Sequence, residues 1–435
     1  MIRTTYIIYF LTGLLLWVSS CSMDIPNPNQ ATDEEALSSQ QGLIALSVGM
    51  RVNYSTDALS RIIITPGVTS RELGAYTTFV NYLNLEEGGN AIQNDNSWTS
   101  GLWSRLYRIV GLAESILENN TPEVVPDAGI RAGLNAHALF FKAAALGHII
   151  QAFEQAPITT MEDGEAPFLD RTAVLEEVTR LLEEALQQLS ANPPSDAFYQ
   201  QIGTTLDLPN MIQAYLSRYY LQAGDYQAAV DAANAVDLSS VSEFPYESEQ
   251  PNPIWSLTVN SNDFRPLDNF GLEASQIPAG DGRIDFFLVP ADTFSAALQL
   301  PVEDLKGYFS EQTASLPVYL TGEVLLNKAE AQARLDQLPA AVTTLNQVRT
   351  KTNDPFGVNA DLTPYAGAVT QPAILEDIYI NRALELFMTG LRLEDSRRFS
   401  RPGPEASSPS RTRNFYPYPD TERANNPNTP GDPAV

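Results

Sequence analysis

The chain is poor in the residues that most enzyme chemistry needs. It holds one cysteine, Cys21, and two histidines, His137 and His148. A lone cysteine excludes an intramolecular disulfide framework and a thiolate metal site. The histidines lie eleven residues apart, about three turns along one helical face. With no third ligand near them they read as packing or surface residues. There is no Gly-x-Ser-x-Gly, no His-Glu-x-x-His and no phosphate-binding glycine loop with a lysine. Neither catalysis nor a cofactor or metal is therefore expected. A carboxylate pair for glycoside hydrolysis forms in three dimensions and leaves no spacing signature. The acids read first as solvated helix faces and turns, and Asp281-x-x-x-Asp285, flanked by glycines, reads as a turn rather than a Ca²⁺ site. Lysine is also scarce, at Lys142, Lys306, Lys328 and Lys351 only, and the formal net charge is −27. Nucleic acid and anionic membrane surfaces would be repelled. An acidic surface short of lysine suits a salty medium, where counter-ions screen self-repulsion, and equally suits ordinary acidity with a high-GC codon bias.

The place of the cysteine accounts for it. Met1–Ser20 carries an early Arg3, an apolar run from Tyr6 to Val18 and then small residues, the layout of a secretory signal peptide. Val18-Ser19-Ser20-Cys21 matches the bacterial lipoprotein box, in which the thiol is lipidated. Acyl chains contribute about 0.8 kcal/mol per buried CH₂ and would anchor the chain. No later apolar run reaches the ~18 residues of a membrane-spanning helix. Ser22–Ala31 reads as a Pro/Asn tether, and Thr32-x-x-Glu35 as a capping box. The expected organisation is a signal peptide at 1–20, a lipidated tether at 21–31 and one body at 32–435. Loop insertions are expected near 65–100 and 237–315.

That body is predicted to be all-α. Leu316–Asn353 reads as two helices joined by a tight turn, the first burying Leu320, Val324, Leu325, Ala329, Ala331 and Ala333. The second starts at Pro339 and repeats Ala341, Val342, Leu345 and Val348. Leu208–Val236 holds another hairpin, with Gly224-Asp225-Tyr226 at its turn. Both resemble tetratricopeptide hairpins, so an irregular α-α superhelix with little β structure is expected. Helical period is lost over Thr65–Ser100, which is rich in Gly, Asn and aromatics, and again over Asp237–Ser315. Sugars pack their C–H faces on aromatic rings while Asn, Asp and Arg bond their hydroxyls. Tyr76, Tyr82, Asn96 and Trp98 in the first segment, and Trp255, Phe264 and Arg265 in the second, are the candidate ligand contacts. Trp98, in a polar Asn-Asp-Asn-Ser-Trp-Thr-Ser context, is the candidate for an exposed ring; Trp103 and Tyr107 read as core.

Five motifs occur in order along the chain. They are the lipobox followed by Asp24-Ile25-Pro26-Asn27-Pro28, Trp103-x-x-Leu106-Tyr107, and His137–Ala143 followed by Phe153 and Pro157. Then come Asn381-Arg382-Ala383-Leu384-Glu385 with Gly390-Leu391-Arg392-Leu393-Glu394-Asp395, and Asn414–Pro419 with Asn426-Pro427-Asn428. Together they resemble SusD/RagB-type glycan-binding lipoproteins. Departures include Lys142 for arginine and His137 for glutamate. The resemblance implies an outer-membrane, surface-exposed lipoprotein that binds oligo- or polysaccharide and works with a SusC-like TonB-dependent transporter. Of the candidate contacts only Trp98 carries over by position. The scarcity of lysine and arginine in both loop segments favours a neutral glycan. The alternative is a tetratricopeptide-type envelope scaffold that holds partner proteins without glycan affinity. A lipid-anchored glycoside hydrolase is disfavoured by the missing catalytic signature.

Overall fold

A computed structural model describes residues 36–161 and 164–435. The signal segment, Cys21, the tether and the Thr32–Glu35 capping box lie outside the described residues. Helix α1 (Gln40–Asn53) is capped by Ser39, whose Oγ accepts from the Gly42 amide at 3.1 Å. It runs through a π turn at Tyr54–Ala58 into α2 (Leu59–Thr69). Loss of period predicted a loop from Thr65, but α2 continues through Pro66 because Thr65, Pro66, Gly67 and Val68 are all buried. Tertiary packing overrides weak local propensity there. A further helix, α3 (Val80–Glu87), lies inside the same expected loop.

The scaffold then continues through α4 (Ser97–Asn119), α5 (Ala128–Ala152), α6 (Arg171–Ala191) and the short α7 (Asp196–Ile202). The first hairpin is α8 (Leu208–Ala223) with α9 (Tyr226–Ala235). Its turn glycine, Gly224, sits at φ +84°, a left-handed conformation that costs glycine nothing. A short helix, α10 (Gly282–Phe287), lies inside the second expected loop. The second hairpin is α11 (Thr321–Arg334) with α12 (Leu338–Arg349), followed by α13 (Gln371–Glu385) and α14 (Arg392–Arg398). Neighbours pack in turn: α4 on α5, α5 on α6, α6 on α8, α9 on α11, and α11 on α13. Ala329, Ala333 and Ala341 let α11 and α12 close over Leu345, Val348, Ile374 and Ile378. At Gly147 of α5 a Cβ would lie 2.2 Å from the Tyr219 ring, so glycine sets the spacing of α5 and α8.

Strands are few. The relevant ones are β1 (Leu73–Ala75), β2 (Phe264–Pro266), β3 (Leu288–Phe294) and β4 (Pro301–Leu305). β1 pairs with β2 and β3 with β4, both antiparallel. The remaining two ribbons have strands of two residues each.

The acids depart most from their reading as solvated. Many are buried and held by arginine. Arg382 of α13 meets Asp395 of α14 at 2.8 Å, and Arg398 meets Glu330 of α11 and Asp395 at 2.7 Å each. Arg283 joins Asp281 at 2.6 Å and Glu385 at 3.2 Å, with neither side exposed. Asp281, expected in a plain turn, therefore serves as a helix cap and a buried ion-pair partner. Burial pushes the Glu330 carboxyl up, but the Arg398, Arg382 and Arg334 guanidiniums outweigh it and hold it below its ordinary range. The Asn381–Asp395 motif thus tethers helices to one another rather than facing a ligand.

Candidate functional site

The two segments that interrupt the helical pattern meet at the β1–β2 ribbon. Its register sets Leu73 against Pro266, Gly74 against Arg265 and Ala75 against Phe264. The β3–β4 hairpin is seated on this ribbon by the Leu267–Val302 bridge and by the Ala296 amide, which donates to the Ala75 carbonyl at 2.7 Å. A Cβ on Gly74 would stand 2.8 Å from the Ser295 Cβ, so glycine permits the close seat. Beneath it the buried Glu86 carboxylate accepts from the Ala75 and Ala297 amides at 3.2 and 3.3 Å.

Five of the seven candidate contacts converge here, although not all as surface groups. Trp98 is 1% exposed and Phe264 is fully buried, so neither presents a face to a ligand. The Trp98 indole meets Tyr82 and Phe264 edge-on, at 5.2 and 4.9 Å, and the Arg61 guanidinium lies 3.7 Å from its ring centre. Its polar sequence context belongs to a helix start. Asn96, also buried, caps α4 by accepting from the Trp98 amide at 3.0 Å. The expected exposure of Trp98 is corrected by these contacts, and Asn96 is a capping residue. Trp103 is core as expected, at 3% exposure. Tyr82 is half-buried and stacks on Phe264 at 4.8 Å. Tyr76 receives the Arg265 guanidinium 4.2 Å from its ring centre, and Arg265 also pairs with Asp304 at 2.8 Å. Trp255, half-buried in the turn Pro253–Trp255, has no ring contact with this cluster.

The exposed rings are ones sequence reasoning did not single out. Among the described residues the outward-facing phenylalanines are Phe79, 62% exposed, and Phe294, 52% exposed. Phe79 leads into α3 and touches the edge of Tyr82 at 5.3 Å. Phe294 ends β3, one residue beyond Thr293, whose hydroxyl meets that of Tyr76 at 3.2 Å. Phe79 stood in an aromatic-rich run, whereas Phe294 carried no signal beyond its place in the second inserted segment. Near them Asn262, Asp304 and Thr293 meet Arg265 and Tyr76 and keep further hydrogen-bonding capacity for a hydroxylated ligand. Arg61 behind the face has buried Nε and Nη1 atoms without hydrogen bonds, and burial lowers its pKa to about 10.

The histidines contribute nothing to this face. His137 Nδ1 is bonded to Ser47 Oγ at 2.8 Å inside the helical core. Burial pushes the pKa of both imidazoles down to about 3, so both are neutral packing groups at ordinary pH.

Comparison with curated protein sequences gives no match. Solved structures share the fold at low identity. A SusD superfamily protein from Bacteroides thetaiotaomicron is 16% identical with a TM-score of 0.71, over 91% of this chain and all of its own. A SusD superfamily protein from Bacteroides vulgatus is 16% identical with a TM-score of 0.70, over 91% of this chain and 99% of its own. A structure described as a SusD-like carbohydrate binding protein, also from Bacteroides vulgatus, is 16% identical with a TM-score of 0.70, over 90% and 97%. The model of the SusD family matches residues 304–432. That region holds the buried Glu330, Arg382, Asp395 and Arg398 lattice and leaves out Phe79 and Phe294, so the match follows the scaffold. Residues 304–432 thus match the SusD family, and the fold shared with SusD superfamily structures runs through nine-tenths of the chain.

Proposed function

We propose that the protein is a non-catalytic glycan-capture lipoprotein, lipidated at Cys21, anchored in the outer membrane at the cell surface, and handing oligo- or polysaccharide to a SusC-like TonB-dependent transporter. The observation that carries the binding role is the pair of exposed rings, Phe79 and Phe294, one on each of the two inserted segments that meet at the β1–β2 ribbon. Exposed aromatic surface backed by a packed cluster is what a sugar's C–H face needs, and hydroxyl-bonding side chains border it. The description of one structural relative as a carbohydrate binding protein supports the same reading. The anchoring part of the reading rests on the Val18-Ser19-Ser20-Cys21 lipobox.

The rings take an uncharged part of the glycan. Arg71 is the sole basic residue of 65–100. The tail arginines Arg411 and Arg413 are occupied by carbonyls: Arg411 donates to Arg401 at 2.7 Å and Arg413 to Gly89 at 2.6 Å. Calorimetry with neutral oligosaccharides tests the site. Phe79→Ala and Phe294→Ala should each weaken binding at least tenfold while shifting stability by no more than about 0.5 kcal/mol. Unchanged binding in both variants would remove this face from consideration. Cell fractionation of Cys21→Ala tests the anchor, which fails if the variant stays firmly in the membrane fraction.

A further inference from the structure

At the other end of the β1–β2 ribbon, a cavity of about 480 Å³ opens between the two inserted segments and the loop after α14. It is lined by Arg71, Arg401, Tyr379, Asn269, Gln276 and Ser410, among others. We propose that this cavity binds the carboxylate of an acidic sugar residue, extending the glycan site by one charge-reading pocket. The inference rests on the glycan-binding reading and adds a ligand class to it.

The argument begins with charge. Arg71 makes no ion pair among the described residues; its Nη1 donates to the Glu86 carbonyl at 3.0 Å. Its backbone sits at φ +64°, left-handed and unusual for a residue with a side chain, and such strain gathers where a side chain is placed for use. Arg401 is already shared, gripping Glu376 through Nη1 and Nη2 at 3.2 and 2.6 Å, while its buried Nε has no partner. Arg401 stacks 3.7 Å from the Tyr379 ring centre and Arg392 stacks at 4.3 Å. The Tyr379 hydroxyl, only 2% of the residue being exposed, forms no well-made hydrogen bond although Ser410 lies close by. The pocket therefore offers one guanidinium held by a single carbonyl and no ion pair, one more fully engaged guanidinium and a spare hydroxyl.

This inventory fits a monoanion rather than a phosphate dianion. Glu273 also lines the cavity, and Glu376 already offsets Arg401, so little positive charge is left beyond that of Arg71. Planar guanidinium matches a carboxylate. The Gln276 amide is held between the Glu273 amide and Glu376, so the Asn269 amide nitrogen and the serine hydroxyls are the groups that suit the hydroxyls of a sugar ring. The volume lies within the range of small-molecule sites. Arg71 and Tyr76 are five residues apart, at most about 17 Å of extended chain, so one oligosaccharide can reach both pocket and rings.

Calorimetry on the full chain with glucuronate, glucose, acetate and inorganic phosphate tests the proposal. Glucuronate should bind at least tenfold more tightly than glucose, with acetate weaker than glucuronate. Arg71→Gln should abolish that preference. Ser408→Asp, an exposed change that sets a carboxylate on the pocket wall, should do the same, with melting temperatures confirming that both variants fold. A preference for glucuronate that survives both variants overturns the proposal, as does equal binding of glucuronate and glucose. Tighter binding of phosphate than of glucuronate overturns it in favour of a phosphate pocket. If neutral oligosaccharides still bind through Phe79 and Phe294, the broader reading stands; if no sugar of either charge binds, both readings fall together.

Discussion

Replacing Trp98 by alanine separates a structural ring from a ligand-contacting one. The indole is 1% exposed and packs edge-on against two rings, with the Arg61 guanidinium 3.7 Å from its centre. Truncating a buried Trp costs about 3–5 kcal/mol. Each aromatic pair is worth about 0.5–1.5 kcal/mol beyond burial, and the cation–π contact about 0.5–2 kcal/mol. Arg61 would be left against the new cavity, its Nε and Nη1 already without partners. The expected loss is thus at the upper end, about 5 kcal/mol. Unfolding entropy of about 2.1 cal/mol/K per residue gives roughly 0.9 kcal/mol/K for this length, so the melting temperature should fall by about 5 °C. Denaturant titration at fixed temperature, following tryptophan-independent far-UV signal, measures the change. Trp98→Phe should recover much of it. A Trp98→Ala protein with an unchanged midpoint that no longer binds glycan would refute the burial argument and restore Trp98 as a contact.

Glu330→Gln should destabilise by about 3–5 kcal/mol, because Arg398 and Arg334, held at 2.7 and 2.9 Å, would keep their buried charge without its partner; chemical denaturation checks this. Burial raises the Glu72 carboxyl to about 8 against pulls from Arg392 and the Met388 amide. The folded state therefore favours the protonated form, and that stability is full below about 4.5 and is lost as pH rises through 8. Glu72→Gln should gain on the parent by roughly 3–5 kcal/mol at pH 9 relative to pH 4, and parallel pH curves for the two proteins would contradict it. His137 and His148 work in the opposite sense, since both are held neutral with pKa about 3. Their contribution is full above about 6.5 and is lost as pH falls towards 3, so His137→Gln should flatten the acid limb of the stability curve. Gly147→Ala, which would bring a Cβ to 2.2 Å from the Tyr219 ring, should cost about 1–3 kcal/mol by thermal melting.

The sequence by itself determined the helical scaffold. The hairpins at Leu208–Val236 and Leu316–Asn353 were legible because helical period, a turn glycine and a helix-starting proline are local signals that one stretch of chain carries alone. The convergence of two inserted segments on one candidate face was partly legible, since Tyr76, Tyr82, Phe264 and Arg265 do meet. Only the tertiary structure decided which rings face water. Trp98 is covered by Tyr82, Phe264 and Arg61, groups drawn from separate elements, and its polar flanks served to start a helix. The acids of α11, α13 and α14 looked solvated because a carboxylate alone in an apolar interior is prohibitive, yet each found a guanidinium that only the packed helices bring within reach. Arg71 and Arg401, far apart in the chain, line one cavity for the same reason: a site made of side chains from distant segments has no period and no spacing until the scaffold folds around it.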